Sequence, residues 1–241
     1  MRIGIRGHDI SAENIRDLCE KLKELGVDEI QLVAHKSFPS FVYNNRQIEN
    51  LARIFAEHQI HIAIYGCYIV PLIPDGRARF HEHIRYAQML GAGAIATESA
   101  VGITDLQDNE SIYQQLVSVF RCFAEDAKAN NVRCAIETVC VHPICSPEKT
   151  ARFLRDVGND NLYAILDPVN LVASPDDLNR VRKATEAIEL YGHRIIAVHW
   201  KDEVVDLKDP VLAFARDNEC VTVITEGLSG EKLRSVIDQM K

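Results

Sequence analysis

A single-domain (β/α)8 TIM barrel is the fold this sequence predicts, and three observations predict it. Eight short apolar runs alternate with eight helical patterns, and that alternation implies a parallel sheet covered by helices. Four of the later runs end in an acid or an imidazole: Glu137, Asp167, His199 and Glu226. They follow one another at steps of 30, 32 and 27 residues, about one strand–helix unit each. Residues 1–241 contain no linker, low-complexity tract or composition break, and that length suits one closed barrel. A doubly wound open sheet is the alternative. It usually carries a Gly-rich turn after its first strand, where this chain reads Arg-Gly-His-Asp-Ile.

Each element has a local signal. Arg2–Arg6 is the first strand. Ser11 is positioned to cap a helix over residues 11–25, with Ile15, Leu18, Leu22 and Leu25 on one face and Gly26 as its stop. The second strand covers residues 29–33 and ends near His35; the second helix, residues 44–58, aligns Ile48, Leu51, Ile54 and Phe55. The third strand covers residues 60–65. The loop after it, residues 66–76, holds Pro71 and Pro74 and is expected to be irregular. A helix over 78–90 stops at Gly91, and the fourth strand, residues 94–97, runs into Glu98. A long helix over 109–130 precedes the fifth strand, residues 133–138. Ser146-Pro147 is a cap followed by proline in the first turn, which opens a helix through Val157. The sixth strand is 162–167, and Ser174-Pro175 repeats the start signal for a helix through Tyr191. The seventh strand is 194–199, followed by the short helix Pro210–Asp217. The eighth strand is 220–226, and Ser229 opens the last helix, which reaches Met240.

Composition narrows the function classes. With 47% hydrophobic and 26% charged residues, the chain reads as a soluble globular protein. No apolar stretch is long enough to span a bilayer, and the first residues lack a secretory layout, so a cytoplasmic protein is expected. The formal net charge of −8, without a Lys/Arg cluster, argues against nucleic acid as a partner and for a small molecule. Seven scattered cysteines do not read as a disulfide framework. Cys19, Cys134 and Cys220 lie in apolar runs, where cysteine acts as a small hydrophobe.

In such a barrel the C-terminal strand ends converge on one mouth. Three carboxylates that meet there cannot all stay ionised without a compensating charge. A divalent cation supplies it. Oxygen ligands plus one imidazole suit Mn2+ or Mg2+, and Co2+ or Zn2+ are also compatible.

The chain resembles the xylose isomerase-like superfamily of metal-dependent barrels, also called sugar phosphate isomerases/epimerases. The resemblance lies in Ile-Glu-Thr at strand five, Ile-Leu-Asp-Pro-Val-Asn-Leu at strand six, Val-His-Trp-Lys-Asp at strand seven and Ile-Thr-Glu-Gly at strand eight. Residues 94–99 and the loop 66–75 are similar to one branch of it. The resemblance implies one metal held by Glu137, Asp167, His199 and Glu226. It implies that Glu137 and Glu226 are the acid/base pair, while the metal polarises a carbonyl and adjacent hydroxyl and stabilises an enediolate. It also implies a homo-dimer or tetramer. Three features depart from the family: Asn170 stands where many members have His, His142 stands where some epimerases have a second Glu, and the step between strands seven and eight is short.

His142, Asn170, Lys201, Glu98, Tyr68 and His35 are the candidate substrate contacts, with His8 as a further rim residue and Asp202 as an orienting acid. His81 and His83, two apart on a helix, cannot face one metal and read as surface. Residues 227–230 read as a turn with a Ser229 cap, and only weakly as a phosphate cradle. The expected activity is isomerisation or epimerisation of a small keto-sugar or polyol derivative. A dehydratase of the same superfamily and a non-catalytic sugar-binding barrel are the alternatives. An apurinic-site endonuclease needs further histidine ligands, where this chain has Cys67, Tyr68 and Asn170.

Overall fold

The structure is a computed structural model and describes residues 1–100, 108–175 and 177–241. Its strands are β1 (Arg2–Arg6), β2 (Glu29–Leu32), β3 (His61–Gly66), β4 (Ala94–Glu98), β5 (Arg133–Glu137), β6 (Leu162–Leu166), β7 (Ile195–Trp200) and β8 (Thr222–Thr225). Each pairs in parallel with its sequence neighbours, and β8 closes on β1. The helices are α1 (Ile15–Glu24), the single turn α2 (Ala34–Ser37), α3 (Asn45–Glu57), α4 (Pro74–Met89), α5 (Glu110–Ala129), α6 (Pro147–Val157), α7 (Asn179–Tyr191), α8 (Pro210–Asp217) and α9 (Gly230–Met240). This is a (β/α)8 barrel, as the alternation of elements predicts.

Two apolar layers hold it. Inside the barrel, small residues (Ala63, Ala94, Ala96, Ala135, Ala197) interleave with Ile64, Ile165, Ile196 and Ile224. Outside, the apolar faces of the helices cover the strands with Leu18, Leu22, Leu51, Phe55, Phe80, Phe120, Phe123 and Phe153. Gly4 keeps the β1–β8 seam uncrowded. A Cβ there would lie 2.6 Å from Ile224 Cδ1 and 3.2 Å from the Glu29 carbonyl oxygen.

The helix starts differ from the sequence expectation in three places. α1 begins at Ile15, because the Asn14 side chain accepts from the amides of Arg16 and Asp17 at 3.0 and 3.2 Å. The chain before it makes a 3-10 turn at Gly7–Asp9, and Ser11 lies outside the helix. α4 begins at Pro74, inside the segment expected to be loop; a proline in the first turn has no amide that the helix needs. α7 begins at Asn179, where the Asp177 side chain accepts from the Asn179 amide at 2.8 Å, so Ser174-Pro175 is turn. Asp176, within the expected helix, lies outside the described residues. Ser229 occupies the cap position of α9, but its side chain makes no capping bond.

Two assignments of environment change as well. His83 is buried, not on the surface: its Nδ1 bonds the Tyr65 hydroxyl at 2.9 Å, and its ring lies 4.5 Å from Tyr43. His81 is partly exposed and pairs with Asp126 at 2.7 Å. Cys19 and Cys134 are buried as expected, whereas Cys220 is exposed.

Candidate active site

The polar groups gather at the C-terminal strand ends, as barrel geometry demands. Glu137 is the last residue of β5, and Asp167 follows directly after β6. His199 is the fifth residue of β7, and Glu226 follows directly after β8. Glu137, Asp167 and His199 are almost wholly buried, and one ligand atom from each lies within 4.8 Å of the others. His199 Nδ1 is 3.5 Å from Glu137 Oε1, 3.3 Å from Asp167 Oδ2 and 3.1 Å from Glu226 Oε2. The four residues that the sequence groups together therefore meet around one imidazole nitrogen.

Neighbouring groups fix each member. Asp167 Oδ1 accepts from the amides of Val169 and Asn170 at 3.0 and 3.1 Å, so the Asp-Pro-Val-Asn turn builds its own carboxylate cradle. Asn170 Nδ2 donates to Glu137 Oε1 at 2.6 Å. Lys201 Nζ lies 2.8 Å from Asp167 Oδ2 and 3.1 Å from Glu226 Oε1. Asp202 turns away and pairs with Arg180 at 3.0 Å.

Two residues of this site were not among the sequence candidates. Gln31, wholly buried on β2, accepts from His199 Nε2 at 2.7 Å and donates to the Tyr68 hydroxyl at 3.0 Å. Arg6, at the end of β1, forms an ion pair with Glu226 Oε1 and forks onto Asp9 at 2.7 and 2.9 Å. A signal for both exists in the sequence. Gln31 is the lone uncharged polar residue in a run of apolar neighbours, and Arg6 ends a strand just as the acids do.

The remaining candidates fall into two groups. Glu98, at the end of β4, pairs in register with Glu137 and stands 3.4 Å from His142 Nδ1. His142 is buried, and among the described residues that nitrogen has no aligned hydrogen-bond partner; the same holds for Nδ1 of His8 on the β1 side. Tyr68 joins the centre through Gln31, with Lys36 Nζ 5.2 Å from its ring centre. His35 does not join it: the residue is exposed and bonds the Tyr43 hydroxyl at 2.8 Å. His35 and Tyr68 both line a side cavity of about 340 Å³ with Tyr43, Arg79, Glu82 and His83.

The charges are strongly coupled. Burial alone would strip His199 of its proton, but the carboxylates of Glu137, Asp167 and Glu226 outweigh it and hold the imidazole well above its usual range. Burial opposes ionisation of Asp167, yet His199 and Lys201 keep its carboxyl down at about 2. Among the described residues no such cation pairs with Glu98. Burial, and then the charge of Glu137, push it up to about 7. Burial followed by Glu137, Glu226 and Glu98 raises the Tyr68 phenol well above its usual range.

The donor set fits a divalent ion. Gln31 Oε1 takes the Nε2 proton of His199, and that tautomer leaves the Nδ1 lone pair toward the acids once the second proton is lost. An imidazolium and an ammonium compensate the carboxylates here, and both could yield to one cation.

Comparisons with known proteins agree with this architecture. The chain superposes over its full length on 97% of the apo form of 3-keto-D-glucoside 4-epimerase YcjR from E. coli, with a TM-score of 0.76 at 14% identity. It covers 97% of the probable 3-DHS dehydratase AsbF of petrobactin synthesis from Bacillus anthracis, again over the full chain, with a TM-score of 0.76 at 13% identity. It covers 95% of IolI with a bound zinc atom, also over the full chain, with a TM-score of 0.72 at 17% identity. At these identities the structural likeness establishes the fold. No curated protein sequence matches the chain. The sequence model of the xylose isomerase-like TIM barrel matches residues 19–241, which include every strand end that carries a site residue except that of β1, and the chain belongs to that family.

Proposed function

We propose that this chain is a divalent-metal-dependent sugar isomerase or epimerase. It abstracts a proton next to the carbonyl of a small keto-sugar or polyol derivative. The observation that carries this reading is the convergence of Glu137, Asp167 and His199 within 4.8 Å, with Glu226 beside them. These four residues are the metal ligands in this reading. Mn2+ or Mg2+ suits them, and Co2+ or Zn2+ is compatible; the matched IolI structure carries a zinc atom, which supports a bound cation. The bound ion supplies a Lewis acid that polarises the substrate carbonyl.

The chain's own residues do the proton work. Glu137 and Glu226 sit on β5 and β8, three strands apart around the mouth, so a substrate between them presents one face to each. One carboxylate removes the proton beside the carbonyl, and the other returns it on the opposite face, which inverts that carbon. Return to the neighbouring carbon exchanges ketose and aldose. Asn170 keeps Glu137 oriented through its 2.6 Å bond. Lys201, Glu98, His142 and Tyr68 offer polar contacts for substrate oxygens, whereas His35 lies off the centre, against Tyr43. The epimerase YcjR among the matched structures supports a sugar-like substrate. Seven free cysteines suit a reducing, cytoplasmic setting.

A dehydratase is the second reading, and Lys201 favours it. Its ammonium lies 3.1 Å from Glu226, where an acid could protonate a departing hydroxyl after proton abstraction. The dehydratase AsbF among the matched structures supports it too. One experiment separates these readings. Protein purified without chelator is assayed for bound metal, then incubated with a panel of ketoses in D2O and followed by NMR. One divalent ion per chain, with deuterium entering beside the carbonyl and a new epimer, is the expected result. An unsaturated product identifies the dehydratase. Absence of metal in wild type and in Asp167→Asn alike overturns both and leaves a sugar-binding barrel.

A further inference from the structure

Glu226 differs from the other three members of the centre in how it is held. Its two oxygens have separate tasks: Oε2 points to His199 Nδ1 at 3.1 Å, and Oε1 is taken by Arg6 and by Lys201. Arg6 is not free to move. Its Nε and Nη2 form a two-pronged fork on Asp9 at 2.9 and 2.7 Å, which leaves Nη1 for Glu226. Asp9 in turn accepts from the Gly227 amide at 2.7 Å, one residue beyond Glu226. The 3-10 turn that follows β1 therefore grips both the side chain of Glu226 and the backbone behind it. Ile5 pairs with Thr225 in the β1–β8 register, so Arg6 and Glu226 are the next residues along the two paired strands.

We infer that Arg6, anchored by Asp9, is a positioning residue that fixes Glu226 with Oε1 turned outward and Oε2 presented to the metal centre. Resting on the metal-centre reading given above, Oε2 is the oxygen that would hold an ion, while Oε1 is occupied by Arg6 and Lys201. Lysine cannot replace arginine in this role. It keeps the charge but has no planar fork that holds Asp9 and Glu226 together. Arg6→Lys therefore tests geometry at constant charge, whereas Arg6→Ala would also remove a positive charge that repels the ion.

The test is a double-mutant cycle read by calorimetric titration with Mn2+ and, in parallel, Zn2+. Wild type, Arg6→Lys, Glu226→Gln and the double variant are compared. Groups that orient metal ligands are worth about 10–100-fold in affinity, so Arg6→Lys is expected to weaken binding at least tenfold in the wild-type background. In the Glu226→Gln background the same change is expected to have no effect, because Arg6 acts through that carboxylate. Asp9→Asn is the second variant and should lose several-fold, again only when Glu226 is present. An Arg6→Lys effect of equal size in both backgrounds, or none in the wild type, overturns the inference while leaving the metal centre intact. A wild type that binds neither ion overturns the metal reading, and the positioning role with it.

Discussion

One amide decides which nitrogen of His199 faces the acids. Gln31 Oε1 needs a donor at 2.7 Å, so the proton stays on Nε2 and Nδ1 is left to the carboxylates. Gln31→Leu removes that constraint at nearly constant volume. Mn2+ affinity is expected to fall about 10–100-fold; unchanged affinity in the titration would show that His199 is oriented by packing alone. Glu226→Gln keeps the side-chain shape but cannot take a proton, so turnover is expected to vanish while circular dichroism stays native. An active Glu226→Gln enzyme would remove Glu226 from the acid/base pair. The four central residues were legible in the sequence because an acid or imidazole at the end of an apolar run is costly unless something uses it. Gln31 was not. In a strand buried on both faces, inside and outside positions look alike, so the sequence alone does not show which way Gln31 points.

Hydrophobic periodicity marks the strands and helices of this barrel but not where each helix starts. Hydrophobic spacing shows where a helix has a face to bury, but several polar residues compete to cap it. Asn14 caps α1 in place of Ser11 because it reaches the free amides of Arg16 and Asp17, whereas α7 starts at Asn179 with Leu178, not Ser174, at its cap position. His83 shows the same limit. Two histidines two apart on a helix point in different directions, and the sequence does not say which direction is inward. The α4–β3 contact places His83 beneath Tyr43 and against Tyr65, and burial pushes its imidazole down to about 4. The sign follows from the unfolded value of 6.5. The unfolded chain takes up this proton first, so stability is full above pH 6.5 and falls as the pH drops toward about 4. Below that both states are protonated and the slope from this group ends. That interval corresponds to about 3 kcal/mol. Urea unfolding at pH 7 and pH 4.5 is expected to show a smaller acid loss in His83→Gln than in wild type; equal losses would assign the acid sensitivity to other groups.

For the whole molecule, closure makes the site and the stability one problem. A side chain at Gly4 would crowd Ile224 across the β1–β8 seam, and the same seam carries Arg6 against Glu226. Gly4→Ala puts a methyl group 2.6 Å from Ile224 Cδ1, and overpacking of that kind costs about 1–3 kcal/mol. The ion should act in the opposite direction. Without it, the carboxylates of Glu137, Asp167 and Glu226 are balanced by Lys201, Arg6 and a protonated His199. An ion that binds the folded barrel alone stabilises it by about 2.7 kcal/mol at a hundred times its dissociation constant. For a chain of this size each kcal/mol moves the melting temperature by about 2–4 °C, so saturating Mn2+ is expected to raise it by roughly 5–11 °C, and a chelator to reverse the rise. Asp167→Asn removes a ligand that no neighbour can replace, because its second oxygen is already committed to the Val169 and Asn170 amides. The rise is then expected to disappear. If that variant melts higher with Mn2+ by the same amount as wild type, the ion binds elsewhere on this acidic surface, and the strand-end cluster loses its role as the metal centre.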